Sequence, residues 1–271
     1  MSENATIQTL SFEQYQSAEG VSNSMLSIIR ERTPLHLWSY LNSPKPESTP
    51  AQRFGQLLHS FLLQPDTMED AFHIKPDGFD GRTTKGKAWM DEHQGKPILA
   101  AAEVVQIGAM VASVHRHPSA KRLLGNAAYE QSVFVDDGNG TRRKLRPDVL
   151  PNAGDYLPDV KTCESAHPDD FAKAIANYGW YRQAAYYLDG CALAGREFRA
   201  FVFIAIEKTP PYAVACHVLD PIAVDLGRLH YEKDLQTYRD CLVSGFWPGY
   251  PDLPRGIELP GWMAKELENA A

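Results

Sequence analysis

Long hydrophobic runs are absent from this sequence of 271 residues, which argues against a membrane-spanning protein. A helix that crosses a bilayer needs roughly 18–20 successive apolar residues, and the longest candidate here is interrupted by Gln106. Met1 is followed by polar residues instead of a basic stretch and an apolar segment. We therefore expect no secretory signal and a cytosolic location.

Cysteine is scarce, and its spacing argues against a metal cluster. The four cysteines are Cys163, Cys191, Cys216 and Cys241, and no C-x-x-C pair occurs. Zinc and iron–sulfur sites usually take at least two ligands from one tight turn. We expect reduced and mostly buried thiols.

Basic residues are outnumbered by acidic ones. The chain has 27 Lys and Arg against 34 Asp and Glu, a net charge of −7. This excludes a protein coated with phosphate-binding surface, so any nucleic-acid role needs a local basic track. The hydrophobic fraction of 44% is ordinary for a globular protein. A chain of this length buries a core without disulfides or metal.

Helix caps and periodicity predict a single α/β domain with four successive parts. We expect a flexible N-terminus over residues 1–20, a helical part over 21–128, a core over 129–245 and an irregular tail over 246–271. In the helical part, the cap signals are Ser22 or Ser24, Thr33-Pro34 and Thr49-Pro50, and residues 75–87 are predicted to form a loop.

The core is predicted to contain a mixed central β-sheet flanked by helices. Strands over 131–135 and 142–149 are joined by the glycine-containing turn 136–140. The elements that follow are a strand over 155–162, a helical region over 169–188 interrupted near Gly179, strands over 198–206 and 212–219, and a helix that ends near Gly245.

Two neighbouring strands of this core carry charged side chains on one face. Side chains alternate along a strand, so Asp159 and Lys161 point together. The residues that share one face of the preceding strand are Arg142, Lys144, Arg146 and Asp148. Because burying such a charged face for packing alone would be costly, the pattern indicates a functional site.

Carboxylates beside a lysine suit phosphodiester hydrolysis. Carboxylate oxygens are preferred ligands of Mg²⁺, and two such ions can clamp the attacking and leaving oxygens. Lys161 would orient the attacking water or offset negative charge in the transition state. The alternative is a solvated ion-pair cluster, because one or two D/E-x-K triplets are expected by chance in a chain of this composition.

Several motifs in the same order resemble a nuclease family. The sequence Pro147-Asp148…Asp159-x-Lys161 resembles the PD-(D/E)xK signature. The pairs Gln183-x-x-x-Tyr187 and Gly55-x-x-x-His59 resemble the helix motif and the upstream histidine motif of RecB-type nucleases. Residues 22–34 and 54–62 and the segment Lys85-x-Lys87-x-Trp89 are similar to the nuclease domain of the RecE (exodeoxyribonuclease VIII) family, and this resemblance covers nearly the whole chain.

The resemblance implies a restriction-endonuclease-like fold whose nuclease core is residues 129–245, and a site that holds two Mg²⁺ ions, which Mn²⁺ can replace. The implied catalytic residues are His59, Asp148, Asp159 and Lys161, and the implied metal ligands are His59, Asp148, Asp159 and the backbone carbonyl of Val160. Gln183 and Tyr187 would position the DNA. Glu130 is a second-tier candidate at the start of the first strand. Taken without the resemblance, His59 is more typical of a surface or packing residue.

The basic residues predict where DNA lies. Arg142, Lys144 and Arg146 would follow the phosphate backbone, whereas Arg143 points to the opposite face. Further phosphate contacts are expected from Arg82, Lys85 and Lys87. The segment 81–88 nearly matches a phosphate-binding loop, but Ala88 replaces the hydroxyl that would hold Mg²⁺, so ATP binding is not predicted.

The RecE resemblance implies digestion of duplex DNA from the 5′ end, which leaves a 3′ single-stranded tail for recombination. It also implies a ring-shaped homotetramer and a partner single-strand annealing protein of the RecT type. The alternatives are a Cas4-like or endonucleolytic enzyme on the same core, and a non-catalytic DNA-binding module. All four cysteines follow Lys161, which argues against the Cas4-like alternative.

Overall fold

The structure, a computed structural model, describes residues 5–44, 48–68 and 72–258. The strands are β1 Ala5–Gln8, β2 His73–Ile74, β3 Ile98–Leu99, β4 Ala127–Tyr129, β5 Ser132–Asp136, β6 Arg142–Leu145, β7 Val149–Pro151, β8 Tyr156–Cys163, β9 Ala200–Glu207 and β10 Val214–Val218. The helices are α1 Phe12–Ser17, α2 Asn23–Glu31, α3 Pro34–Asn42, α4 Pro50–Leu63, α5 Thr84–Glu92, α6 Ala101–Arg116, α7 Pro118–Leu124, α8 Pro168–Asn177, α9 Trp180–Leu193 and α10 Pro221–Ser244, with a short 3₁₀ turn over Pro65–Thr67.

The first long helices begin at the predicted caps. The hydroxyls of Ser22, Thr33 and Thr49 accept hydrogen bonds from backbone N–H groups in the first turns of α2, α3 and α4. Such a cap satisfies one of the donors that a helix start leaves unpaired. The last long helix, α10, ends at Gly245, whose φ of 69° lies in the left-handed region that glycine favours.

The predicted loop over 75–87 is wrong at its end, because α5 begins at Thr84. The Thr83 hydroxyl accepts from the Gly86 N–H at 3.0 Å and caps this helix. Gly86 also lies against the preceding loop, where an added Cβ would lie 2.0 Å from the carbonyl oxygen of Asp80. A run of polar residues with three glycines hid both features, since the third glycine serves close packing within a helix.

The N-terminus is also more ordered than predicted. Instead of a flexible end over 1–20, Ala5–Gln8 forms β1, which pairs antiparallel with β5. Ser11 and Gln14 then form a capping box at the start of α1. Ala5 and Ile7 alternate along β1 and pack against the core. Four residues of alternation are too few for the pattern to stand out from a polar terminus.

The sheet that carries the site is mixed, as predicted. β8 and β9 run parallel, and β10 pairs antiparallel with the other edge of β9. β1, β5 and β6 form a separate antiparallel sheet, and β4 pairs antiparallel with β7. The predicted strand over 142–149 is therefore interrupted, since β6 ends at Leu145 and β7 begins at Val149. Pro147 lies in this interruption and has no N–H to donate to a ladder.

Buried side chains form cores on both faces of the sheet. Leu157, Phe203 and Tyr186 belong to the core on the side of α9 and α10. Val160 and Ile204 belong to the core on the side of α4 and α6. β8 is thus covered on both faces, which places any polar side chain it carries inside the protein. None of the helices in the described ranges is long and apolar enough to cross a membrane. Residues 246–258 of the predicted irregular tail contain no helix or strand, and its remainder lies outside the described residues.

Candidate active site

β8 carries Asp159 and Lys161 to one face, as its alternation predicts. Asp159 is 1% exposed, and its Oδ2 lies 2.6 Å from the ammonium of Lys161. Its Oδ1 accepts a hydrogen bond from the side-chain amide of Gln183 on α9 at 3.0 Å. Gln183, predicted to position DNA, therefore contacts a carboxylate of the site directly. The geometry shows that α9 and β8 together fix the orientation of Asp159.

Asp148 lies in the interruption between β6 and β7, next to the middle of β8. Its Oδ2 accepts a hydrogen bond from the backbone N–H of Val160 at 2.8 Å. The carboxyl group thus serves as the acceptor for a backbone N–H of β8, beside the interruption between β6 and β7 that contains Pro147. This contact brings Asp148 beside Asp159 and Lys161, the arrangement that the sequence predicts.

Glu130 completes the acidic part of the site. It connects β4 to β5 with a φ of 53°, a left-handed conformation that residues other than glycine rarely adopt. Its N–H donates to the carbonyl of Asp148 at 3.1 Å, and its Oε2 accepts from Arg146 Nε at 2.8 Å. Strained residues of this kind persist where the surroundings hold them, and they are frequent at functional sites. The structure therefore gives Glu130 a more central position than the sequence indicated.

His59 on α4 lies between these carboxylates and β8. Its Nδ1 is 3.5 Å from Oε1 of Glu130 and 3.5 Å from Oδ1 of Asp148. Its Nε2 is 3.1 Å from the carbonyl oxygen of Val160, which can only accept, so Nε2 carries a proton. Together, His59, Glu130 and Asp148 offer three ligand atoms that all lie within 4.8 Å of one another.

The charges in this group shift its protonation equilibria. Burial by itself would lower the pKa of His59, but the negative charges of Asp148 and Glu130 raise it to about 9. Burial and the neighbouring charge of Asp159 raise the pKa of Asp148. Burial would also lower the pKa of Lys161, yet Asp159 and Asp148 raise it. A bound cation would take over the charge compensation that the His59 proton provides.

The residues present fit a divalent cation. Two carboxylates and an imidazole converge, and carboxylate oxygens suit hard cations such as Mg²⁺. The carbonyl of Val160, a predicted ligand, instead accepts from Nε2 of His59, on the side of the ring away from the carboxylates. Oδ2 of Asp159 is buried and, apart from its ion pair with Lys161, has no polar partner among the described residues. Of the predicted ligands, His59 and Asp148 belong to the three-residue group, and Asp159 lies beyond it.

The cysteines take no part in such a site. Cys163, Cys191 and Cys241 are buried and reduced, and Cys216 is half-buried, which agrees with the expected thiols. Within the described part of the chain, His59, Glu130 and Asp148 form the one group of three or more metal-binding side chains. This arrangement gives no support to an iron–sulfur cluster of the Cas4-like kind.

One of the predicted DNA contacts is wrong, because Lys144 is inside the protein. Lys144 is 5% exposed, and its ammonium donates to the carbonyls of Tyr15, Gln16 and Ala18 at the end of α1. The guanidinium of Arg146 donates to Glu130, to the carbonyl of Leu10 and to Ser132, and Arg146 also lines the cleft at the site, so its contact to DNA stays a prediction. The predicted strand parity is right, since Arg143 points to the other face, where it donates to the carbonyl of Tyr186. Parity does not reveal that α1 covers the face of Lys144.

The remaining predicted contacts lie on the surface. Arg142 is exposed, with its guanidinium 5.3 Å from the ring centre of Phe134. Arg82 forms an exposed pair with Asp80, and Lys85 and Lys87 are exposed on α5. These contacts to DNA stay predictions.

A cleft of about 850 Å³ opens onto the site. His59, Glu130, Asp148 and Tyr187 line its inner part. Burial, and then the proximity of Tyr15, Asp159 and Asp148, raise the pKa of Tyr187 well above its usual value, so its hydroxyl stays protonated. Residues that the sequence did not single out line the rest, among them Phe12, Arg53, Gln56 and Ser60. On α4, the positions 53, 56 and 60 follow the three- and four-residue spacing of one helix face, a signal that would have pointed to them.

Comparisons with known proteins agree with this architecture. Residues 22–253 match the family described as "PDDEXK-like domain of unknown function (DUF3799)". A solved structure from Eubacterium rectale, described as "Putative exonuclease", has 15% sequence identity and a TM-score of 0.65, covering 93% of this chain and 96% of its own. The structure of SSO0001 also has 15% identity and covers 68% of this chain and 86% of its own, but its TM-score of 0.28 supports no argument. No curated protein matches the sequence. The restriction-endonuclease-like fold is confirmed.

Proposed function

This chain belongs to the family of PDDEXK-like domains, within the PD-(D/E)xK nuclease superfamily, and from that premise we propose that it is a cytoplasmic, Mg²⁺-dependent exodeoxyribonuclease. In this proposal it digests double-stranded DNA from the 5′ end and leaves 3′ single-stranded tails for recombination by annealing. The polarity, the recombination role and the choice of Mg²⁺ come from the RecE resemblance of the motifs.

One observation carries the proposal: the charged groups of the signature converge inside the protein with their partners in place. Asp148 and Asp159 are almost fully buried, and Lys161 lies against Asp159. A solvated ion-pair cluster on an exposed sheet face, the alternative for this pattern, would leave these groups in water. Burying carboxylates is costly unless they are paired or hold a metal. The convergence therefore supports a site with a chemical task.

The residues of the chain have distinct tasks in this proposal. His59, Glu130 and Asp148 would hold a divalent cation, which when bound polarises a phosphate and acidifies a water. Lys161 supplies a fixed positive charge beside the phosphate that reacts, where negative charge increases in the transition state. Gln183 keeps Asp159 in one orientation through its 3.0 Å hydrogen bond.

Two neighbours keep the cation-binding carboxylates from rotating. The Val160 N–H fixes Asp148, and the Arg146 guanidinium fixes Glu130. The carbonyl of Val160 also accepts from His59, so the backbone of Val160 orients two members of the group. Such partners of ligating side chains are what make a metal site rigid.

The assembly and partners are proposals of the same origin. We propose a ring-shaped homotetramer that acts on double-stranded DNA ends with a single-strand annealing protein of the RecT type. Sedimentation equilibrium tests the tetramer, for which a stable monomer would be the contrary result. Co-purification with an annealing protein of this type tests the partner.

The decisive experiment measures nucleotide release with Mg²⁺ from linear, nicked and closed-circular duplex. Release from linear DNA alone, with the 5′-end label appearing before the 3′-end label, is expected. Cleavage of closed circles would indicate an endonuclease, and binding without release would indicate a non-catalytic module. EDTA should abolish release, and Mn²⁺ should restore it.

Two substitutions connect this activity to the site. Asp148→Asn and Asp159→Asn should each abolish release while leaving the circular-dichroism spectrum unchanged, because each removes a carboxylate charge at nearly constant volume. Asp169→Asn is the matched control, because that carboxylate is 85% exposed on α8. Release near the wild-type rate by either site variant would contradict the assignment.

A further inference from the structure

An exposed tyrosine stands beside the site and takes no part in the geometry described so far. Tyr178 follows α8 and is 69% exposed, yet its ring stacks on that of Trp180, with centroids 5.1 Å apart and planes inclined by 25°. Trp180 is packed against the core, and its ring centre lies 5.6 Å from the ammonium of Lys161. Two aromatic rings therefore connect the solvent to Lys161.

The backbone holds this ring in place. Gly179 separates α8 from α9 with a φ of 66°, and a Cβ there would lie 2.2 Å from the guanidinium of Arg182. The N–H of Tyr178 donates to the carbonyl of Ala174, which ties the residue to the end of α8. A side chain fixed before binding loses little conformational entropy when a ligand contacts it.

The aromatic pair continues the line of active-site residues along α9. Trp180, Gln183 and Tyr187 are spaced by three and four residues, so they share one face of the helix. Gln183 contacts Asp159, and Tyr187 lines the cleft beside Asp148. Trp180 extends the same face by one turn toward Lys161. The exposed ring of Tyr178 is thus separated from Lys161 by the ring of Trp180 alone.

We propose that the Tyr178–Trp180 pair is a stacking platform for one nucleobase of the DNA strand held in the site. This inference rests on the proposed function. One face of the Tyr178 ring lies against Trp180 and the other faces solvent, which is the arrangement a flat aromatic ligand requires. Every base has a π-face, so stacking of this kind tolerates any sequence, as a processing nuclease requires.

The charge of the protein favours this mode of binding. The net charge is −7, and Lys144 and Arg146 are committed to internal contacts. A neutral stacking contact adds affinity that does not depend on counterion release, and it fixes the base whose phosphate lies nearest Lys161.

A cycle of protein and DNA changes tests the platform. Binding of duplex ends is measured with Ca²⁺ in place of Mg²⁺. Each DNA end in the series carries one abasic nucleotide, placed at one of the four terminal positions of either strand. Wild-type protein should bind the intact end about 5- to 150-fold more tightly than the end that is abasic at the stacked position. Tyr178→Ala and Tyr178→Leu should bind both ends equally, whereas Tyr178→Phe should discriminate as the wild type does.

The matched control is Tyr250→Ala, because Tyr250 is also 69% exposed. It should leave the discrimination unchanged. The proposal is overturned if the wild type is indifferent to every abasic position, or if Tyr178→Ala discriminates as well as the wild type. It is also overturned if Tyr178→Ala changes the sedimenting mass and not the discrimination, since the ring would then contact another protein chain. Nucleotide release by the wild type, measured in parallel, separates the two proposals: no release defeats the nuclease, and release without discrimination defeats only the platform.

Discussion

Replacing Lys144 by methionine distinguishes a structural lysine from a DNA contact. Methionine keeps a long unbranched side chain and removes the ammonium. That ammonium lies 3.2, 3.0 and 2.6 Å from the carbonyl oxygens of Tyr15, Gln16 and Ala18. These carbonyls are at the end of α1, where a helix leaves its last acceptors without intrahelical donors. The substitution therefore leaves three acceptors without this donor.

The magnitude follows from two opposing contributions. Hydrogen bonds to a charged group stabilise by about 1.5–3 kcal/mol each, but removing the ammonium also removes the cost of burying it. Water can reach part of the end of α1 once the lysine is gone, so the three bonds do not add. We expect Lys144→Met to lower the free energy of unfolding by about 2–3 kcal/mol and the Tm by about 5–10 °C.

Two measurements on one variant give the answer. Urea denaturation followed by circular dichroism reports the stability, and binding of duplex ends against salt, with Ca²⁺ replacing Mg²⁺, reports the phosphate contacts. Arg142→Met is the control on the same strand face, because Arg142 is exposed. It should change stability by less than about 0.5 kcal/mol and, if Arg142 contacts DNA, lower the salt slope by about one. An unchanged urea midpoint for Lys144→Met, together with a lower salt slope, would refute the structural role.

Three further substitutions test the site and its helix. Glu130→Gln should raise the Mg²⁺ concentration needed for half-maximal nucleotide release by about tenfold or more, since partners of a metal site typically contribute about 10–100-fold in affinity. An unchanged Mg²⁺ titration would remove Glu130 from the ligand set. Lys161→Met should lose most of kcat, while its metal affinity, measured by calorimetry, should change little because an ammonium cannot coordinate a cation. A collapse of metal affinity would mean that Lys161 organises the carboxylates. Gly55→Ala should raise the free energy of unfolding by about 0.5–1 kcal/mol, because the added Cβ meets no atom within 4 Å. A fall in DNA affinity in that variant would show that DNA approaches α4 at Gly55, and unchanged affinity would show that it does not.

Local signals in the sequence predicted most of the elements. Ser22, Thr33 and Thr49 cap the helices predicted to follow them, and Gly179 interrupts the helical region where expected. Each of these features is a contact between residues a few positions apart, or a backbone conformation of one residue. The predicted loop over 75–87 was wrong at its end, because its last glycine serves a packing contact that the polarity of the segment does not reveal.

The pairing of carboxylates with lysine was also predictable. Alternation within β8 puts Asp159 and Lys161 on one face, and the strand before it places Asp148 alongside. Only the tertiary structure shows what surrounds them. Glu130 comes to the site through a left-handed turn, and Gln183 reaches Asp159 from α9. Neither the turn nor the packing of α9 on β8 has a signature in the local sequence.

The basic residues show most clearly where the sequence stops being informative. Strand parity by itself determined that Lys144 and Arg146 share a face that Arg143 does not, because alternation is a property of the extended backbone. Whether that face meets DNA or protein was decided by α1, whose Tyr15 is 129 residues from Lys144 along the chain. The exposure of a charge depends on which distant segment packs over it. Only the tertiary structure brings those segments together.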